Sequence, residues 1–205
     1  RHLASIAQCV VISVEYRLAP EHPFPAAADD VITAYRWLLE TRDPQNIVLA
    51  GDSAGAGLCL SLLVQINDLG LPMPASAMLL SPYADLSATG ASLDSNSDRC
   101  AMFSGDSIRR AAATYLAGAD AQDPRASPLF ADYSGFPPLL IYVSDSEVLR
   151  DDGLRVADSA AAAGVTVQLQ VWRGQPHVWP LFVPLLPEAK RTLQQMAQFC
   201  RQYMH

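Results

Sequence analysis

Ser53 sits in the most specific chemical setting of the chain. Residues 51–55, Gly51-Asp52-Ser53-Ala54-Gly55, have the G-x-S-x-G spacing. That pattern alone is common, and its flanks give it weight. NIVLAG (residues 46–51) precedes the serine and is apolar and β-branched like a buried strand. From residue 54 to about 68 the chain is apolar nearly all round, at helical length. A serine on a tight strand-to-helix turn has its hydroxyl lifted clear of the sheet, and small neighbours let the backbone bend that sharply. Gly51, Ala54, Gly55, Ala56 and Gly57 supply the smallness. The helix N-terminus favours negative charge, and the Ala54 amide is expected to be one donor of an oxyanion hole. The Gly-Lys-Ser/Thr ending of a phosphate-binding loop is absent. The chemistry on offer is nucleophilic attack by Ser53.

A serine hydroxyl is a weak nucleophile until a base takes its proton, and near neutral pH histidine is the usual base. His2 and His205 lie at the chain ends, and His22 lies upstream of Ser53. His177, in Gly174-Gln175-Pro176-His177-Val178-Trp179, follows the last strand-like run. The order serine, acid, histidine selects it as the base. The acid belongs after the preceding strand, where Ser144-Asp145-Ser146-Glu147-Val148-Leu149-Arg150-Asp151-Asp152 offers four carboxylates. Spacing leaves Asp145 and Glu147 both open. Asp151 and Asp152 fall at the start of the next helix, where carboxylates stabilise the helix dipole, and are read as structural. Trp179, Leu181 and Phe182 are candidates for an apolar substrate pocket, with a place in the core as the even alternative.

These residues need strands to end where they stand. Apolar strand-like runs cover residues 9–16 (CVVISVEY), 46–51, 75–81, 139–143 and 165–172. Helical patterns cover residues 25–40, 54–68, 108–116, 149–163 and 188–204, and residues 86–104 are polar and irregular. Strand and helix in alternation predict an α/β fold with a mostly parallel sheet, whose functional loops follow the strands. The 205 residues suit one domain, and half are hydrophobic with 17% charged, which excludes a disordered chain. A net charge of -7 argues against nucleic-acid binding. The four cysteines form no CxxC pair and have no histidine cluster, so neither a metal site nor a disulfide framework is expected. No apolar run reaches membrane-spanning length, and a cytoplasmic protein is the expectation.

The chain resembles the hormone-sensitive-lipase-like family of α/β-hydrolase carboxylesterases, bacterial branch. The resemblance rests on Tyr16-Arg17-Leu18-Ala19-Pro20-Glu21-His22-Pro23-Phe24-Pro25, Gly51-Asp52-Ser53-Ala54-Gly55, Leu80-Ser81-Pro82, Asp123-Pro124-Arg125-Ala126-Ser127-Pro128-Leu129 and the His177 loop. It implies Ser53 as nucleophile, His177 as base and, by matching Glu147-Val148-Leu149-Arg150-Asp151 to the family's Asp-Pro-Leu-x-Asp, Glu147 as acid, with Asp145 as the fallback. It implies hydrolysis of short acyl esters through an acyl-enzyme, with no cofactor, and a homodimer through the edge strand at residues 165–172. Lactone or amide hydrolysis on the same triad is the alternative, as is a non-catalytic binding protein. Arg17 and Glu21 are expected to form a partly buried pairing set. The family's His-Gly-Gly-Gly motif, which supplies most of the oxyanion hole, is not among these residues. The chain is therefore expected to be the carboxyl-terminal portion of a hydrolase domain, weak or inactive by itself. A gap is expected beside the nucleophile strand, where the family places another strand.

Overall fold

The computed structural model describes residues 2–204. Four strands, β1 (Val48–Asp52), β2 (Ser76–Leu80), β3 (Leu139–Ser144) and β4 (Val167–Trp172), pair in parallel in the order β1-β2-β3-β4. The helices are α1 (His2–Ala7), α2 (Ala26–Leu39), α3 (Ala54–Asp68), α4 (Ser92–Ser95), α5 (Gly105–Leu116), α6 (Arg150–Ala162) and α7 (Pro187–Tyr203). Parallel neighbours need long crossovers, and α3 and α6 provide two of them.

Side-chain alternation along the strands divides the core into two layers. Ala77, Leu79, Leu139, Ile141 and Val143 face a cluster that includes residues of α2, α3 and α6. Met78, Leu80, Leu140 and Tyr142 face the opposite layer, built from α1 and α7. Every residue of β2 and β3 is buried, which suits sequences that are apolar but for Ser76, Ser144 and the Tyr142 hydroxyl. In α7 the buried positions Ala189, Leu193, Met196, Ala197 and Cys200 recur at three and four residues. Burying each larger side chain there contributes roughly 1.5–3 kcal/mol.

Residues 9–16 are not a strand, contrary to the sequence reading. They form an irregular segment whose Val10 is 86% exposed, with Val11, Ile12 and Val14 also exposed. β-Branched residues favour a strand when a ladder and packed neighbours receive them; here only the end residues Cys9 and Tyr16 pack on the core, and the segment joins no ladder. Its start is held by the Cys9 amide on the Ala4 carbonyl, 3.2 Å. Beyond its end, the Arg17 amide and guanidinium both engage Asp30, at 2.8 Å each. Arg17 thus pairs with Asp30, and Glu21 is exposed. β1 has β2 on one side and no described strand on the other. β4 is the opposite edge, with β3 as its one described neighbour.

Candidate active site

Ser53 bridges β1 and α3 with φ 51° and ψ −120°, a conformation that L-residues rarely adopt. Besides the first helical bonds from Ala56 and Gly57 to its carbonyl, two backbone bonds to the end of β2 and the loop after it hold it there. Its amide donates to the Leu80 carbonyl (2.8 Å), and its carbonyl accepts from the Tyr83 amide (3.1 Å). The turn leaves no room for side chains at two glycines. A Cβ on Gly51 would strike the backbone of Gly55, and one on Gly57 would strike the Tyr83 carbonyl. Ala54 begins α3, so its amide lies in the first turn, where the helix provides no carbonyl partner.

The imidazole of His177 lies between serine and acid. Nε2 is 2.9 Å from Ser53 Oγ, and Nδ1 is 2.7 Å from Glu147 Oε2. Glu147 Oε1 accepts from the Ser144 amide at 2.7 Å. A carboxylate has only acceptors, so Nδ1 donates to Glu147 and the Nε2 lone pair faces the serine hydroxyl. Glu147 and His177 are almost fully buried, while Ser53 is partly exposed. One open member beside two dry ones is the arrangement a substrate can approach.

The other acidic candidate has a different partner. Asp145 Oδ1 accepts from the Gly174 amide (2.8 Å), and Ser146 Oγ donates to the Gln175 carbonyl (3.1 Å). Both bonds tie the acid turn to the loop that carries His177. The Val178 amide, one residue past the base, donates to Ser81 Oγ at 3.3 Å.

A model of the alpha/beta hydrolase fold family matches residues 1–181. The chain belongs to that family. It is 43% identical over 206 residues to an acetyl-hydrolase of Streptomyces hygroscopicus, covering 98% of this chain and 69% of that protein. An esterase of Acinetobacter venetianus is 40% identical, with coverages of 96% and 66%. A crystal structure of an esterase from the bacterial hormone-sensitive lipase family superposes with a TM-score of 0.97 at 44% identity, covering all of this chain and 69% of that one. The EstE5 structure soaked with p-nitrophenyl butyrate gives 0.95 at 45%, with coverages of 98% and 68%. The chain spans about two thirds of the length of these relatives.

In this α/β-hydrolase the three residues left open between pocket and core divide between the core and the surface. Trp179 is wholly buried in the α1–α7 layer, its Nε1 donating to Thr192 Oγ1 (3.0 Å) and its ring set against Tyr142 and Trp172. Residues 179–182 form a 3₁₀ turn, in which positions three apart eclipse. Phe182 therefore packs on the same layer. Leu181, out of step with both, is 62% exposed.

Asp151 and Asp152 do more than face a helix dipole. Asp151 accepts from the Ser92 amide (2.9 Å). Asp152 is buried and accepts from the amides of Ala84 and Asp85 at 2.9 and 3.0 Å, pinning the loop after β2. Burial raises the Asp152 pKa to about 7, against the pull of those amides. Asp85 beside it goes the other way. Burial opposes its charge, but Ser87, Thr89 and Arg155 outweigh that and lower its pKa.

From about pH 4 to 7 an unfolded chain has released the Asp152 proton while the folded one keeps it. The contribution to stability is greatest below pH 4, falls as pH rises, and is gone above 7. Asp152→Asn keeps an acceptor for both amides and removes the charge. In urea melts it is expected to match the parent at pH 4 and exceed it at pH 8 by on the order of 2 kcal/mol. Equal stability of the two proteins at pH 8 would refute the buried charge as its cause.

Three contributors near the site had little or no sequence signal. Asn96 Nδ2 donates to the carbonyls of Asp145 (3.1 Å) and Glu147 (2.9 Å), and Ser92 Oγ donates to that of Val148 (2.7 Å). Phe103 stands edge-on to the His177 ring, centroids 5.3 Å apart. All three lie in the stretch read as irregular, where α4 and the start of α5 instead brace the acid turn.

Proposed function

We propose that this chain carries the catalytic machinery of a carboxylic ester hydrolase acting on short-chain acyl esters through an acyl-enzyme on Ser53. The observation that supports it is the unbroken line from Ser53 Oγ through His177 to Glu147, at 2.9 and 2.7 Å. His177 Nε2 takes the hydroxyl proton as Oγ attacks the ester carbonyl. Glu147 holds the tautomer and balances the charge that forms on the ring. The Ala54 amide donates to the oxyanion. His177 then returns the proton to the departing alkoxide, and water repeats the sequence on the acyl group.

Two relatives support the short-acyl reading, one named an acetyl-hydrolase and one whose crystal was soaked with p-nitrophenyl butyrate. The test compares turnover of p-nitrophenyl acetate, butyrate and palmitate and of p-nitroacetanilide with that of the Ser53→Ala variant. Ser53-dependent turnover of the short esters above the others is expected. Faster palmitate cleavage would overturn the short-chain preference, and faster anilide cleavage would favour an amidase. We also propose pairing of two copies along the open edge of β4, where Val171 is half-exposed. A monomeric mass in light scattering would remove that proposal.

A further inference from the structure

We propose that Phe103 is a positioning residue that limits the swing of the His177 imidazole, an inference that rests on the triad reading above. The two hydrogen bonds of His177 leave from Nδ1 and Nε2. With both bonds made, they and the Cβ tether set the ring, but the side-chain torsions free it to swing once Nε2 parts from Ser53 Oγ during the reaction. Such a swing would take the Nε2 lone pair out of line with the serine oxygen. A packing contact against the ring limits that swing, and the Phe103 ring provides one, at 84° to the imidazole.

Phe103 is itself held. It packs on the apolar cluster of Leu93, Ile108, Val148 and Leu149. Val148 and Leu149 directly follow the acid, so one cluster supports both the turn bearing Glu147 and the stop against His177. The backbone beyond Phe103 is anchored as well. Ser104 and Ser107 cap α5 reciprocally, and the Gly105 amide donates to Ser97 Oγ at 2.8 Å. A flat, rigid ring on an anchored turn can constrain its neighbour, whereas a flexible aliphatic chain of similar polarity would yield.

The experiment compares Phe103→Leu and Phe103→Tyr with the parent. Leucine keeps an apolar group and loses the flat ring, and tyrosine restores the ring. The readouts are kcat and KM on p-nitrophenyl acetate, the limiting rate of Ser53 inactivation by a fluorophosphonate, and Tm. Phe103→Leu is expected to lower kcat and the inactivation rate by about tenfold, with KM within about twofold. Phe103→Tyr is expected to return both rates to within about twofold of the parent. A raised KM with unchanged kcat would overturn the proposal by making Phe103 a substrate contact. Rates for Phe103→Leu equal to the parent's, or no rescue by a folded Phe103→Tyr, would also overturn it. Should Phe103→Leu fail to fold, Phe103→Met carries the same comparison. A parent whose Ser53 does not react with the fluorophosphonate would instead overturn the nucleophile reading itself.

Discussion

Ser53→Ala is expected to lower ester turnover by a factor on the order of 10⁴ or more and to abolish covalent labelling by a fluorophosphonate. The loss should be chemical and not structural. Among the described residues the hydroxyl has one partner, the His177 Nε2 at 2.9 Å, and the bonds that hold residue 53 in place are made by its backbone. Alanine keeps those bonds and meets the same positive φ that serine already tolerates. Its Tm should therefore stay within a few degrees of the parent's while the rate collapses. Activity unchanged by the substitution would remove Ser53 from the mechanism, whatever its geometry.

Glu147→Gln should cost nearly as much, on the order of 10⁴-fold in kcat, by forcing the wrong tautomer. Glu147 Oε1 accepts from the Ser144 amide while Oε2 accepts from His177. A glutamine that keeps its oxygen toward Ser144 must turn its NH₂ group toward Nδ1. Nδ1 then has to accept, the ring proton moves to Nε2, and no lone pair remains there for the serine proton. Asp145→Asn provides the contrast. Its carboxylate supports the Gly174 amide and so bears on loop placement, and asparagine retains an acceptor for it. A loss of less than about tenfold is expected. The reverse ranking, with Asp145→Asn the more damaging, would make Asp145 the acid.

The strand–turn–helix at Ser53 and the ends of β3 and β4 were legible because their patterns are local. An apolar run, small residues at a bend and a histidine after the final strand can all be read within a dozen positions. The acid could not be chosen by spacing, since Asp145 and Glu147 alternate along one turn and differ only in which residue of the His177 loop each meets, Gly174 or His177. Residues 9–16 have strand-forming residues, yet a strand exists only with a ladder, which local sequence does not encode. Trp179 sits two residues from the base, and a 3₁₀ turn sends its ring into the opposite layer. The braces at Ser92, Asn96 and Phe103 come from a polar stretch without periodicity, and their partners lie about 50 to 75 residues further along. Asp152 looked like an ordinary helix-start carboxylate because nothing nearby in sequence reports the amides it would receive.

Ser53 and His177 are 124 residues apart in the chain, and the three strand pairings that bring them together are all parallel. Each such pairing closes a long loop before any contact repays it, so non-local sheets of this kind form slowly. The nucleophile turn can take shape early, with β1 and α3, but its base arrives only after β2, β3 and β4 have aligned. Serine reactivity is therefore a clock for the last stage of refolding. Helix content should return first, and the power to attack an ester should return when the sheet is complete.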